Sequence, residues 1–339
     1  MSEVSTVGLD IAKNVFQVHG VDAEGAVVVR RVLRRPQLLA WFGKLAPCLV
    51  GLEACGTAHY WARELRKVGH EVRLIPPAYA KAYVRRNKND AADAAAICEA
   101  VSRPSMRFVA AKTERQQASA GIHKVRDVLM KQRTMLSNQL HGLMAEFGIV
   151  AAKGRRGLSE LLAVLADPED QRLPSPLREG LAMVAETLRG LERKLEAIDR
   201  QIVVAGREDA TYRHLITAPG YGPILSSAMA AMVTDPGAFR RSSDFAASLG
   251  LVPRQDGTGG KVRLGPISKR GNGYLRRLLV NGATSLINSK RAKQDPWLAK
   301  LLATKPRKVA AVALANKLAR IGWALMTRQE DFRNLPAAA

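Results

Sequence analysis

The chain is short of acids, cysteines and histidines, and each shortage excludes something. Its three cysteines, Cys48, Cys55 and Cys98, form neither a zinc-ligand spacing nor an even disulfide set. Unpaired thiols in a reducing compartment are the simplest account. The six histidines are scattered and read as structural residues, not ligands. No apolar run approaches the roughly 20 residues of a spanning helix, and no signal-peptide pattern opens the chain. A cytoplasmic protein without a membrane partner is expected. Asp and Glu number 30 against 53 Lys and Arg, a net charge of +23. Charge does not specify a fold, but it does bear on partners. An excess this large, spread along the chain, favours nucleic acid.

What is present supports a sizeable core. The 339 residues are 47% hydrophobic, enough for two domains or a domain with an extended element. In the first third, residues 4–10 read as a buried strand ending in Asp10. Residues 14–21 and 26–32 read as a hairpin about the turn 22–25. A helix over 36–45 follows, then the apolar run 48–53, which ends in Glu53. A helix over 58–68, a strand over 71–75 closed by Pro76 and Pro77, and an alanine-rich helix complete the region. That last helix carries Asp90 and Asp93, three residues apart and therefore on one face. Arg85, Arg86 and Lys88 stand just before it.

This order of strands and helices is that of a ribonuclease H-like α/β domain, in which Asp10, Glu53, Asp90 and Asp93 meet at one sheet edge. Any one of them alone is equally well a cap or turn residue. Four carboxylates at close range cannot all stay ionised without cations. Two Mg²⁺ ions roughly 4 Å apart would resolve that and act on a phosphodiester. The acids would hold the cations, and the basic run would hold the phosphates.

Residues 113–147 read as a long helix with an apolar stripe at Ile122, Val125, Leu129, Leu136, Leu140 and Leu143. Leu181, Val184, Leu188, Leu191, Leu195, Ile198 and Ile202 follow the alternating steps of a coiled-coil seam, with a short helix at 158–165 between the two. The pair makes an arm, either an intramolecular hairpin or a dimer contact. Residues 215–224 read as a helix-hairpin-helix, in which Gly220 and Gly222 allow a tight turn facing a phosphate. An ordinary helical corner uses glycines the same way. A helix is expected over 239–249 and a flexible glycine-rich loop over 256–261, without the spacing of a P-loop. Lys261, Arg263, Lys269, Arg270, Arg276 and Arg277 form a basic zone with no acid between Asp256 and Asp295. Amphipathic helices close the chain at 297–302 and 309–326.

Three phrases carry a resemblance. Residues 8–13 (GLDIAK), 51–56 (GLEACG) and 89–94 (NDAADA) resemble the DEDD transposases of the IS110 family of bacterial insertion sequences, of the IS1111-like kind. The N-terminal domain of that family is RuvC-like. Residues 219–279 also resemble its C-terminal domain. The resemblance implies that Asp10, Glu53, Asp90 and Asp93 are a catalytic, metal-binding tetrad. It implies a RuvC-like domain over 1–112, a helical coiled-coil arm over 113–206 and a mostly helical C-terminal transposase domain over 207–339. The family implies Mg²⁺-dependent DNA cleavage and rejoining at a composite site on donor and target DNA. It also implies a noncoding bridge RNA and a homo-oligomer, a dimer or tetramer, joined through the arm. A serine of the glycine loop attacks the DNA in that family. Here the matching position holds Thr258, and Ser268 is the nearest serine. Two alternatives stand beside this reading: a structure-selective nuclease without a covalent intermediate, and an inactive nucleic-acid scaffold.

Overall fold

The computed structural model describes residues 3–83, 90–258, 261–290 and 294–333. They form two compact units. One comprises Met1–Gln117 with Val233–Arg240, the other Ala118–Met232 with Arg241–Ala339.

The first unit is built on a five-stranded mixed sheet. Its strands are β1 (Thr6–Ile11), β2 (Val15–Val21), β3 (Val27–Arg34), β4 (Leu49–Glu53) and β5 (Glu71–Ile75), in the order β3-β2-β1-β4-β5. β1, β2 and β3 are an antiparallel meander, and β4 and β5 run parallel to β1. The helices are α1 (Leu38–Phe42), α2 (Ala58–Lys67), α3 (Pro77–Ala80) and α4 (Asp90–Val101). The helix expected over 36–45 is shorter, a 3₁₀ turn at Arg35–Gln37 followed by α1.

The two faces of β1 differ, because side chains alternate along a strand. Val7 and Leu9 belong to a core with Phe16, Val50, Leu52, Val72 and Leu74, closed by Leu38 and Phe42 of α1 and Trp61, Ala62 and Leu65 of α2. α2 presents Ala58, Trp61, Ala62 and Leu65 inward, one stripe of a 3.6-residue repeat. The opposite face carries Gly8 on β1 and Gly51 on β4, and α4 lies directly on both. A Cβ at Gly8 would sit 2.1 Å from the Ala94 carbonyl oxygen, and one at Gly51 would sit 2.8 Å from the Val101 Cβ. Only a helix rich in alanine can approach a sheet this closely, and α4 reads DAADAAAICEAV.

The second unit is mainly helical. α5 (Glu114–Ala145) enters it from the first unit and is followed by α6 (Arg155–Ala166) and α7 (Ser175–Arg207). Arg126 of α5 pairs with Asp199 of α7 at 2.5 Å, and Arg133 pairs with Glu192 at 3.0 Å. One number rises as the other falls, so the two long helices are antiparallel. Leu181, Ala185 and Leu188 of α7 pack with Leu140 and Met144 of α5 and with Leu158, Leu161 and Leu165 of α6. The seam of α7 is thus covered by its own chain over that stretch. Val125 departs from the expected stripe and is 52% exposed.

The chain continues through α8 (Ala210–Leu215), α9 (Pro223–Met232), α10 (Ser242–Ser248), β6 (Pro253–Thr258), β7 (Lys261–Ile267), α11 (Gly273–Asn288), α12 (Pro296–Thr304) and α13 (Arg307–Arg328). The helix expected over 239–249 begins only at Ser242, because Arg241 is extended. The loop expected over 256–261 is instead part of a hairpin: Thr258 pairs with Lys261, and β6 and β7 are antiparallel. A two-residue connection suits a tight hairpin. Its Gly259 and Gly260 lie outside the described residues. α13 is the centre of this unit, burying Ala310, Ala311, Leu314, Ala315, Leu318, Ala319, Gly322 and Leu325. It is long and apolar enough to span a membrane by composition, contrary to the sequence expectation, but half of its apolar window is buried in the unit. That is the signature of a core helix.

Buried polar groups tie α5 to α9 and α11. His123 is 1% exposed. Its Nδ1 lies 3.1 Å from the Tyr274 hydroxyl and its Nε2 lies 3.0 Å from the Ser227 hydroxyl. Burial, then the nearby Arg126, pushes its pKa down to about 4, so it is neutral at physiological pH.

Gly8→Ala should destabilise the protein by roughly 1–3 kcal/mol or more, because the clash is with helix backbone that cannot rotate away. Urea unfolding of this variant against wild type measures it. An unchanged midpoint would mean that α4 is not seated on Gly8.

Candidate active site

The glycines that seat α4 also place the acids. Gly8 and Asp10 share a face of β1, as Gly51 and Glu53 do on β4. The parallel register matches Gly8 with Gly51 and Leu9 with Leu52. Asp10 and Glu53 therefore follow side by side at the C-terminal ends of neighbouring strands. α4 starts at Asp90, and Asp93 is one turn on. One carboxylate oxygen from each of Asp10, Asp90 and Asp93 lies within 4.8 Å of the others. Asp10 and Asp93 are half-buried and Asp90 is exposed.

Glu53 is outside this group of three, yet its charge reaches Asp10. The Asp10 carboxyl is pushed up to about 6, first by burial, then by the charges of Asp93, Asp90 and Glu53. Cys55, exposed two residues after Glu53, has its thiol raised by burial, by Glu53 and by Asp10, so it stands beside the same acids. Thr57, next in this turn, has φ of 73°, a left-handed conformation that costs a β-branched residue. Neither Cys55 nor Thr57 was singled out from the sequence. The strain at Thr57 is invisible there, since only glycine or asparagine would advertise it.

Three carboxylates converging this closely are an all-oxygen donor set, the kind that suits a hard divalent cation. A cation would also offset the burial and the mutual repulsion that raise Asp10. Of the basic residues expected beside them, Arg85, Arg86 and Lys88 lie outside the described residues.

The second unit carries the other candidates. Thr258 ends β6 by backbone pairing with Lys261. Ser268 is half-buried, and its amide donates to the Val252 carbonyl. Arg263, Lys269 and Arg270 are exposed. Arg276 donates instead to the backbone carbonyls of Leu249 and Arg270, at 2.9 and 2.8 Å. It braces the segment before α11 against α10. Arg277 pairs with Asp127 of α5, so the basic zone does have an acid, supplied from a distant part of the chain. Gly220, at φ 82°, turns inward: a Cβ there would meet Leu286 at 2.8 Å and Leu318 at 3.0 Å. A Cβ at Gly222 would meet nothing within 4 Å.

Comparisons with known proteins place the whole chain in a family. A DEDD transposase model of IS110 elements matches residues 7–149, and the "Transposase IS116/IS110/IS902 family" model matches residues 212–298. A Pseudomonas aeruginosa protein named "Probable family 20 transposase" is 50% identical over 334 residues, covering 97% of this chain and 99% of the relative. The chain belongs to the IS110 family of transposases. A transposase of insertion sequence element IS1328 from Yersinia enterocolitica is 40% identical over 98% of the chain and 99% of its own length. One of IS1111A from Coxiella burnetii is 38% identical over 98% and 92%. In this transposase the first matched region contains all four acids, and the second contains Thr258.

The raised Asp10 carboxyl fixes the sign of a pH effect. Folded Asp10 holds its proton up to about pH 6, whereas the ordinary value is 3.8. Its contribution to stability is therefore present in acid and lost as pH rises through 6. In metal-free buffer, Asp10→Asn should gain melting temperature over wild type between pH 4.5 and 7.5, two conditions of about equal distance from pH 6. Millimolar Mn²⁺ should close the gap by stabilising wild type. Parallel pH profiles for the two proteins would show that Asp10 does not feel its acidic neighbours.

Proposed function

We propose that this transposase cuts and rejoins DNA by Mg²⁺-dependent phosphodiester exchange, with Asp10, Glu53, Asp90 and Asp93 as metal ligands and Thr258 as nucleophile. The observation that carries the reading is the convergence of Asp10, Asp90 and Asp93 within 4.8 Å. Three mutually repelling carboxylates fit a cation better than they fit an empty surface. Bound there, Mg²⁺ would supply charge stabilisation to a phosphodiester under attack.

The residues divide the remaining work. The Thr258 hydroxyl loses its proton as its oxygen bonds to phosphorus, and the bond from phosphorus to the departing sugar oxygen breaks. The products are a phosphothreonyl linkage and a DNA end carrying a hydroxyl. Attack of a DNA hydroxyl on that linkage reverses the step and rejoins the chain, with no net change in the number of phosphodiester bonds. A threonine serves as a nucleophile in the same way as a serine. Arg85, Arg86, Lys88, Lys261, Arg263, Lys269 and Arg270 hold the phosphates without reading sequence. Gly222, open to solvent beside the start of α9, serves the backbone contacts of a helix-hairpin-helix.

The same reading takes donor and target DNA as substrates and a noncoding bridge RNA as guide. Basic charge serves RNA and DNA alike. It takes the active form as a homo-oligomer joined through a coiled-coil arm of α5 and α7, working in the bacterial cytoplasm at the nucleoid. It divides the chain into a RuvC-like domain over 1–112, the arm over 113–206 and the transposase domain over 207–339.

Asp10→Asn should lower DNA cleavage by more than the roughly 10–100-fold that loss of an outer-shell partner costs a metal site. Thr258→Ala should lose the denaturation-resistant protein–DNA adduct, and Thr258→Ser should keep it. Gel assays of cleavage and adduct on the element's end sequence read both. Undiminished cleavage by Thr258→Ala would favour a hydrolytic nuclease instead. Cleavage by Asp10→Asn at the wild-type rate would overturn the proposal.

A further inference from the structure

α4 covers the centre of the sheet, and open space remains between it and the β2–β3 hairpin. Along the antiparallel register Asp10 pairs with Gln17, which pairs with Val32, while Gly8 pairs with His19, which pairs with Arg30. Partners across such a ladder share a face. The row that contains Asp10 therefore runs outward over Gln17 to Val32 at the sheet edge. Two adjoining cavities of about 630 and 450 Å³ lie along this floor, sharing His19, Arg30, Ala92 and Ala95 in their linings. The wall is α4, whose Ala91, Ala92 and Ala95 bring no bulk.

The chemistry of the trough is one-sided. Arg30 is exposed and has no carboxylate partner among the described residues, whereas Arg103 in the same lining is paired with Glu99 at 2.6 Å. Burial and the charge of Arg30 both hold the His19 imidazole below its usual pKa, which places the guanidinium close to it. Val32 is 57% exposed on the same floor. Charges on an edge strand ordinarily block edge-to-edge pairing, and cations facing solvent on either side would do that. Arg30, by contrast, lines a trough whose floor reaches Gln17, the row neighbour of Asp10. A chain with phosphates and apolar sugar and base faces matches an unpaired arginine two residues from an exposed valine on one face of the strand.

We infer that the trough between the β2–β3 hairpin and α4 holds the DNA chain whose phosphodiester is delivered to Asp10, Asp90 and Asp93. The inference rests on the function proposed above. Arg30 contacts a phosphate and Val32 lies against sugar or base. Neither residue belongs to the acid cluster or to the basic runs already named.

Two measurements on the full-length protein test it, using a short fluorescent DNA oligonucleotide of arbitrary sequence. In Arg30→Gln, the slope of log affinity against log salt should shrink by about 1, for the one lost phosphate contact. Arg30→Lys should retain the wild-type slope, which a merely structural role for the guanidinium would not require. A photoreactive benzophenone residue at Val32 should crosslink to the DNA, and the same residue at Val68, after α2 on the other face of the sheet, should not. An unchanged slope would overturn the assignment, as would crosslinking at position 32 to a second copy of the chain or preferentially to an RNA oligonucleotide of the same sequence. These readouts are binding and proximity, so their failure leaves the acid-dependent cleavage standing. Cleavage that persists in Asp10→Asn would instead remove the chemistry while leaving the trough results as measured.

Discussion

The backbone of α4 rests on the bare Cα atoms of Gly8 and Gly51, and the placement of the acids follows from that contact. Each glycine is two residues before an acid on the same β-strand. Period-two alternation therefore puts Asp10 and Glu53 on the face that α4 covers, at the strand ends where the helix begins. The helix brings Asp90 and Asp93 in its first turn, where negative charge is also favoured by the helix dipole. A side chain at either glycine would lift the helix and separate the carboxylates. The same contact buries Asp10 and brings the acids together, and burial first, then their repulsion, raises Asp10 to about 6. Local stability is given up at the place where a cation would restore it.

The second unit solves a different problem, that of anchoring long helices. α7 has an apolar seam, and α5 and α6 cover it. The two ion pairs between α5 and α7 fix their antiparallel register as much as the leucines do. Each of these pairs joins partly exposed groups, so it specifies register more than it stabilises. Around His123 the polar contacts are buried and satisfied, which makes the junction of α5, α9 and α11 stiff. Arg276 and Arg277, at the start of α11, are drawn into this framework through backbone carbonyls and Asp127.

Much of the first unit was legible in the sequence because its signals are local. Short apolar runs bounded by turn residues gave the five β-strands in order, and an i, i+3 acid pair on an alanine helix gave α4. The ends of these elements moved by a few residues, as where a 3₁₀ turn begins at Arg35 in place of a full helix from Pro36. The hairpin at 253–267 was not legible. Asp256, Gly257, Gly265 and Pro266 are poor strand formers, and only the pairing of β6 with β7 makes them extended. The roles of Arg276 and Arg277 were also hidden, since their partners lie far away in the chain. A count of cations treats all six as surface charge, but two of them are committed to the fold. Arg30 had the opposite fate: nothing in the sequence singles it out, and only the open floor beside Gln17 gave it a direction.

The most direct test of this account is an anomalous-scattering map from crystals of the full-length protein grown with Mn²⁺. The account requires a peak bounded by the carboxylates of Asp10, Asp90 and Asp93 that is lost in Asp10→Asn. A map with no peak there at saturating Mn²⁺, or a peak that persists unchanged in Asp10→Asn, would contradict it.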